Sequence, residues 1–157
     1  MAGTCWTAGM SEEPTPDDHR ITDGDGDPDL DARLSAELDR HNVAAVGESN
    51  LRELTVRVED GAGDLVAGLS GWTWGTCAGI GMIWVREDAR GGGWGARLLA
   101  RAEAVAHERG CRQVLVSSLT FQAPDFYRRH GYVEFARSEG LPVVGAADVH
   151  FVKLLAV

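Results

Sequence analysis

The chain has 157 residues, of which 44% are hydrophobic and 25% are charged, and its formal net charge at pH 7 is -9. This length suits one domain with a sizeable core, and the longest apolar runs fall far short of the ~20 residues that cross a bilayer. Lys153 is the only lysine, and the arginines are scattered among acidic residues, which argues against nucleic acid as a partner. An acidic surface is compatible with a cationic amine as substrate.

The three cysteines, Cys5, Cys77 and Cys111, are odd in number and widely spaced. This pattern favours reduced thiols over a disulfide framework or a zinc site. The first ten residues lack a basic start and a sustained apolar stretch, so they do not resemble a signal peptide. We therefore expect a cytoplasmic protein without a membrane segment.

Residues 1–27 are polar and acidic and cannot bury much apolar surface. They predict a flexible segment that precedes a single domain at residues 28–157. Within that segment, Asp23-Gly24-Asp25-Gly26-Asp27 alternates like a calcium-binding loop, but such a loop needs glycine at its sixth position and glutamate at its twelfth. Pro28 and Leu34 stand there. We therefore expect a solvated linker and no metal site.

The first half of the chain indicates a helix followed by three strands. Leucines recur at helical spacing after Pro28, and proline suits the first turn of a helix. Three apolar segments follow, separated by glycine-rich turns typical of hairpins. The predicted elements are a short strand at residues 19–22, a helix at 28–46 and strands at 51–59, 65–74 and 80–85, with turns at 60–63 and 75–79.

The second half alternates between helices and strands. A glycine-rich segment leads into an amphipathic helix that Gly110 ends, and Pro124 opens a second, short helix. The predicted elements are helices at 93–109 and 123–130 and strands at 114–116, 132–136 and 149–155. The order of elements along the whole chain is approximately βαββββαβαββ.

The glycine-rich segment leaves a strand and opens a helix, which is a common way of holding phosphate. The first N–H groups of a helix have no partner within it and lie at the positive end of its dipole. The spacing excludes a P-loop, which needs lysine and a hydroxyl after its last glycine, and a dinucleotide fingerprint, which needs Gly-x-Gly-x-x-Gly. Two interpretations stay open: a loop that binds a phosphorylated cofactor, or a turn that needs glycine only for its geometry.

The segment Arg90-Gly91-Gly92-Gly93-Trp94-Gly95-Ala96 resembles motif A of the GCN5-related N-acetyltransferases, the GNAT superfamily. About one strand further on, residues 121–132 resemble the next motif of that family, a short helix carrying Phe-Tyr that ends in a Gly-Tyr turn. The resemblance covers roughly residues 51–155. It implies an α+β fold in which helices flank both faces of a mixed, mostly antiparallel sheet.

The resemblance also implies an enzyme that transfers the acetyl group of acetyl-coenzyme A to a primary amine of a small molecule. A polyamine, an amino acid or an amine-bearing antibiotic would each serve, in a direct ternary complex. Cys111 has no base near it in the sequence and does not suit a covalent acyl carrier. Acetylation of a protein or peptide and a non-catalytic acyl-coenzyme A-binding module are the alternatives. An open sheet edge would allow a homodimer.

Several cofactor contacts are implied by the family. Tyr127, in the Phe-Tyr pair, would be the general acid beside the coenzyme sulfur. Main-chain atoms of Trp84 and Val85 would pair with the pantetheine arm, and Arg129, together with Arg128, would reach the adenosine 3′-phosphate. The amides that would hold the pyrophosphate are those of Arg90, Gly91, Gly92, Gly93, Trp94, Gly95 and Ala96.

The acceptor side is less defined. Trp72 and Trp74 share one face of a strand, where they predict either a packed aromatic pair or an aromatic wall that holds a cation. Together with Ser117 and His41 they are our candidate acceptor contacts. Removing a proton from an amine with a pKa near ~10.4 calls for a base. Close family members carry Asp near the positions of Gly81 and Ser117, so the base stays open among His41, Asn42, Glu53, Ser117, Ser118 and His150.

Overall fold

The computed structural model of the chain describes residues 20–47 and 50–156. Cys5, His19 and most of the segment predicted to be flexible therefore lie outside the described residues. The short first strand is not present at residues 20–22. The chain divides into two units, Met1–Arg40 and His41–Val157. None of the helices in the described ranges is long and apolar enough to span a membrane.

Helix α1 spans Pro28–Val46, as its proline and leucine spacing predict. Asp27 begins it, because the carboxylate oxygen Oδ1 accepts hydrogen bonds from the N–H groups of Asp29 (3.1 Å) and Leu30 (3.0 Å). An aspartate that caps a helix in this way satisfies donors that the helix leaves free. None of the residues in α1 is buried.

The sheet contains six strands in the order β1-β2-β3-β4-β6-β5. All neighbouring strands run antiparallel except β3 and β4, which pair in parallel. The mixed sheet agrees with the predicted α+β class. The strands are β1 (Arg52–Glu59), β2 (Leu65–Trp74), β3 (Cys77–Val85), β4 (Gln113–Leu119), β5 (Val133–Glu139) and β6 (Ala147–Leu154).

The predicted turn at residues 75–79 is wrong in its second half, because β3 already begins at Cys77. Gly79 lies inside the strand and not in a turn. The ring of Trp72 covers it, and a Cβ on Gly71 would lie only 2.1 Å from the carbonyl oxygen of Gly79. These glycines therefore permit close approach between two strands. Three strands separate α1 from the next helix, as the predicted ranges have it, whereas the approximate order βαββββαβαββ counts four.

Helices α2 (Trp94–Glu108) and α3 (Pro124–Arg129) pack against one face of the sheet. Alternation along the strands places Leu54, Leu69 and Phe151 on that face, where they are buried. The buried residues of α2 that meet them are Leu98, Leu99, Ala102 and Ala106. The opposite face carries Trp72 and Trp84, which stay partly exposed.

Strands β3 and β4 separate about halfway along their length. Their pairing ends at Ile80 and Val116, although β3 continues to Val85 and β4 to Leu119. The register of β3 against β2 also slips at this point, since Ser70 pairs with Met82 while Gly71 pairs with Ile80. Gly81 is therefore the extra residue of a β-bulge, which bends the strand. The result is an opening between two interior strands.

Candidate functional site

The glycine-rich segment forms a loop in which most main-chain N–H groups have no hydrogen-bond acceptor among the described residues. Gly91 and Gly93 have φ values of +78°, in the left-handed region that favours glycine. Gly93 is the residue that precedes the first turn of α2. Within the described part of the chain, no hydrogen bond is donated by the N–H groups of Gly91, Gly93, Trp94, Gly95 and Ala96. This is a set of free donors at the positive end of a 15-residue helix.

Two adjoining hollows, of about 330 and 460 Å³, lie beside this loop. We call the pair the loop cleft. Almost all the cofactor-binding residues predicted from the sequence line it, Gly92 being the exception. Both hollows share the lining residues Val85, Arg90, Gly95, Phe126 and Arg129; the first adds Ala89, Gly91, Gly93, Trp94, Ala96 and His130, and the second adds Ile83, Trp84 and Ala123.

The two adjacent arginines of α3 have different surroundings. Arg128 forms ion pairs with Asp125 (2.6 Å) and Glu134 (2.5 Å), and its guanidinium lies 5.3 Å from the centre of the Phe151 ring. Arg129 lines the loop cleft and forms no ion pair within the described residues. Of the two, Arg129 is therefore the one free to bind an anion.

The edge of β3 that faces the opening is formed by main-chain groups. Arg86 donates its N–H to the carbonyl of Val66, and bonded pairs alternate along antiparallel strands. Val85 and Ile83 therefore turn their main-chain groups towards the opening. The main-chain groups of Trp84 turn towards β2, so Ile83 takes the place predicted for Trp84 beside Val85, although Trp84 also lines the cleft. The Val85 carbonyl already accepts a hydrogen bond from Nε of Arg90, at 3.2 Å.

Tyr127 is buried at 4% exposure, and its ring contacts those of Phe126, Tyr132 and Phe151. Burial raises the pKa of the Tyr127 hydroxyl, because the apolar surroundings disfavour the phenolate. This hydroxyl forms no hydrogen bond within the described residues. A hydroxyl that keeps its proton and has no partner is available to an incoming group. Tyr127 itself lines neither hollow of the loop cleft, but its ring centre lies 5.2 Å from that of Phe126, which lines both.

A separate cavity of about 240 Å³ lies against the sheet where β3 and β4 part. We call it the sheet cavity. It brings together two of the four predicted acceptor contacts, Trp72 and Ser117. Trp74 shares the face of Trp72 but lies at the hairpin end, and it does not line this cavity, nor does the exposed His41. The other lining residues are Gly79, Ile80, Leu115, Val116, Phe135, His150 and Phe151.

The loop cleft and the sheet cavity meet the same strand on either side of the bulge. The sheet cavity reaches Ile80, and the loop cleft begins at Ile83. Gly81 and Met82 lie between them. Gly81 has no side chain that could block the space between the two hollows, and a Cβ there would have only the Ser70 carbonyl within 4 Å. Two ligands bound in these hollows would approach each other along β3.

Sequence reasoning missed Phe126 and Phe135 as lining residues. Phe126 belongs to the Phe-Tyr pair, and its ring fills the space that Gly95 leaves, since a Cβ on Gly95 would lie 3.1 Å from it. Gly95 and Phe126 belong to the two sequence motifs described above, so this contact between a small and a large residue could have been predicted from them. Phe135 is the extra residue of a bulge in β5, which turns it towards His150, and no local pattern predicts such a bulge.

The chain is similar to a family model and to several known proteins. The family model of the acetyltransferase (GNAT) domain matches residues 52–134. A blasticidin-S acetyltransferase of Streptomyces morookaense is 47% identical over 74 residues, which span 45% of this chain and about half, 52%, of that protein. An acetyltransferase of Agrobacterium fabrum is 29% identical over 108 residues, 69% of this chain and 79% of its own length. The crystal structure of an acetyltransferase from Bacillus cereus has a TM-score of 0.75 and 29% identity, covering 86% of this chain and 98% of its own.

Proposed function

Because this chain belongs to the acetyltransferase (GNAT) family, we propose that it transfers the acetyl group of acetyl-coenzyme A to a primary amine of a small molecule. The observation that carries the proposal is the loop cleft. It joins the free amides at the start of α2 to an opening between two interior strands. The free amides suit a pyrophosphate, and the main-chain groups of β3 along the opening suit an arm that contains amides.

The residues present fit acetyl-coenzyme A. The free amides of Gly91, Gly93 and Gly95 would hold the pyrophosphate, and Arg129 would pair with a further phosphate. The main-chain groups of Ile83 and Val85 would pair with the amides of the pantetheine arm. When bound, the coenzyme supplies an acetyl group activated as a thioester.

Tyr127 would act as the general acid that donates its hydroxyl proton to the leaving sulfur. Its raised pKa keeps that proton in place throughout the neutral range. Burial also raises the pKa values of the Cys77 and Cys111 thiols, which leaves both cysteines poor nucleophiles. This supports direct transfer between two bound substrates over a cysteine-bound acyl group. Both are free thiols, which supports the predicted cytoplasmic setting.

The acceptor would bind in the sheet cavity. Trp72 and Phe135 supply aromatic surfaces, and no carboxylate of the described residues lines the cavity. Aromatic faces attract amines and other cations without a fixed ion pair. The likeness to a blasticidin-S acetyltransferase supports a small amine-bearing antibiotic as one acceptor. A polyamine and an amino acid stay open within the same class.

Two alternatives keep specific support. Peptide acetylation would use the partly exposed sheet face around Trp72 and Trp84 as an open groove. A non-catalytic acyl-coenzyme A-binding module would explain why Gly81 and Ser117 stand where close family members carry Asp. The single domain at 28–157, the possible homodimer and the lack of a nucleic-acid partner stay predictions.

Calorimetric titration with acetyl-coenzyme A, followed by a thiol-release assay, tests the proposal. We expect micromolar binding, and thiol release with at least one of blasticidin S, spermidine, tobramycin and lysine. Binding without thiol release on these amines, but with acetylation of a peptide library, would favour the peptide alternative. Absence of binding at millimolar acetyl-coenzyme A would contradict the proposal altogether.

A further inference from the structure

The sheet cavity contains one titratable side chain among the described residues, and it is His150. The other lining side chains are apolar or aromatic, apart from the hydroxyl of Ser117, which lies opposite His150 in the register of β4 and β6. Glu53 pairs with Trp72 in register on β1 but is exposed and does not line the cavity. Among the lining residues, His150 is therefore the side chain that can accept a proton from an amine bound in this cavity.

The polar contacts of the His150 imidazole lie on one side of the ring. Its Nε2 atom lies 3.5 Å from the hydroxyl oxygen of Ser138 on β5 and 3.7 Å from Oδ2 of Asp148 on β6. The Nδ1 atom has no partner within the described residues. The negative charge of a carboxylate on the Nε2 side of the ring favours the tautomer with its proton on Nε2. That form leaves a lone pair on Nδ1.

We propose that His150 is the general base of the transfer reaction and that Asp148 is a positioning residue that orients its imidazole. The proposal rests on the proposed function, since it needs an amine in the sheet cavity. Trp72 from β2, Ser117 from β4 and Phe135 from β5 line the same cavity, and the ring centre of Phe135 lies 6.3 Å from that of His150. Asp148 is the one charged group that faces His150 among the described residues, at 23% exposure of its side chain.

The proton balance starts from the neutral amine. Its nitrogen forms a bond to the acetyl carbon, and the bond from that carbon to sulfur breaks. Nδ1 of His150 takes the proton that the nitrogen loses, and the sulfur takes the hydroxyl proton of Tyr127. The proton on His150 then returns to Tyr127 through solvent. The sum is an amide and a thiol from an amine and a thioester.

His150→Gln tests the role of the base, and the exposed His107→Gln on α2 is the matched control. For His150→Gln we expect kcat to fall by about 100-fold or more, and the pH dependence of kcat to change, because the variant lacks the proton acceptor. Calorimetric binding of acetyl-coenzyme A should stay within twofold, which also shows that the variant folds. His107→Gln should match the wild type in every measurement.

A second readout does not depend on turnover. Long-range nitrogen–proton NMR spectra of the ligand-free protein at pH 8 should show His150 protonated on Nε2, with the signal assigned by its absence in His150→Gln. Asp148→Asn should shift that tautomer and lower kcat, and Asp148→Glu should restore part of both.

The outcomes distinguish a failure of the proposed function from a failure of the role assigned to His150. Absence of acetyl-coenzyme A binding, or of thiol release by the wild type with every amine tested, contradicts the proposed function and removes the reaction that His150 would serve. Turnover by the wild type together with an unchanged kcat and pH profile in His150→Gln overturns the assignment of the base alone. A proton on Nδ1 in the NMR spectra would overturn the role of Asp148.

Discussion

The indole of Trp72 lies across Gly79 of the neighbouring strand, so close that a Cβ at position 79 would overlap ring atoms Cε2, Cζ2 and Nε1. The two residues pair directly in the register of β2 and β3. A residue without a side chain on β3 thus decides where an aromatic ring on β2 can lie. It lets the ring reach the sheet cavity, which both residues line.

Gly79→Ala should displace Trp72 and weaken acceptor binding. We expect the KM for the acceptor to rise, as in Trp72→Ala, by the few-fold to ~30-fold that a cation–aromatic contact of about 0.5–2 kcal/mol allows. Trp74→Ala is the control, because it removes a neighbouring tryptophan from outside the cavity. Steady-state kinetics with varied acceptor measure all three variants. An unchanged acceptor KM in Trp72→Ala would show that this ring is not part of the acceptor site.

Gly93→Ala should weaken binding of acetyl-coenzyme A, whereas Gly110→Ala should not. Both glycines have positive φ, +78° and +84°, and neither would give a Cβ a close neighbour. Each alanine should therefore cost about 1–2 kcal/mol of folding stability. Only Gly93 opens the helix whose first amides are free. Calorimetry measures the binding of acetyl-coenzyme A, and thermal unfolding measures the stability of both variants. An equal loss of binding in Gly93→Ala and Gly110→Ala would contradict the role of the loop in binding the coenzyme.

Arg129→Gln should lower the affinity for coenzyme A by about tenfold, the effect of losing one charge-assisted hydrogen bond. The affinity for 3′-dephosphocoenzyme A should change much less if the contact is with the 3′-phosphate. Arg128→Gln should instead lower the Tm, because Arg128 joins Asp125 of α3 to Glu134 of β5. If Arg128→Gln lowered the affinity for coenzyme A and Arg129→Gln did not, the guanidinium of Arg129 would not be the ligand contact.

Tyr127→Phe should lower kcat with little effect on the Kd for acetyl-coenzyme A. General-acid catalysis typically contributes at least ~100-fold, although a thiolate is a good enough leaving group to make the loss smaller. Since burial raises the pKa of Tyr127, the wild-type rate should not fall on the alkaline side below about pH 10. A pH–rate profile of both proteins measures this. A decline near pH 8 would indicate a different acid.

Tyr132→Phe should change how stability depends on alkaline pH. Burial raises the pKa of Tyr132, and the nearby carboxylate of Glu103 raises it further. The folded chain therefore keeps a proton that the unfolded chain releases near pH ~10. Stability is full below that pH and falls above it, by up to about 1.4 kcal/mol per pH unit for one such group.

Denaturant unfolding between pH 9 and 11 tests this directly. The wild type should lose stability more steeply than Tyr132→Phe over this range. At neutral pH the variant should be less stable by about 1 kcal/mol, because it lacks the hydrogen bond of 3.1 Å from the Tyr132 hydroxyl to Glu103. If the free energy of unfolding fell equally with pH in the two proteins, Tyr132 would not be the group that causes the alkaline loss of stability.

Much of the fold could be predicted because its signals are local. Pro28 begins α1, Gly93 and Gly110 flank α2, and Pro124 begins α3, each where the chemistry of proline or glycine places a helix end. The alternation of apolar residues in β1 and β2 likewise needs only neighbours in sequence. These positions are determined by the conformation of a few adjacent residues.

The remaining features depend on contacts between distant segments. Arg128 and Arg129 are identical neighbours, and only the placement of Glu134 beside one of them distinguishes their surroundings. Gly79 fits a turn as well as a strand until Trp72 is known to cover it. The end of pairing between β3 and β4 depends on register across a parallel pair, which no local pattern specifies.

The sheet consists of two halves that pair over a short distance. The strands β1, β2 and β3 form one half and β4, β6 and β5 the other, and only four residue pairs join them in the ladder, from Cys77–Gln113 to Ile80–Val116. Beyond these pairs the facing edges of β3 and β4 are not bonded to each other. A ligand that hydrogen-bonds both edges would extend the ladder across the sheet. Because such a ligand binds the folded state, it would raise the midpoint of unfolding.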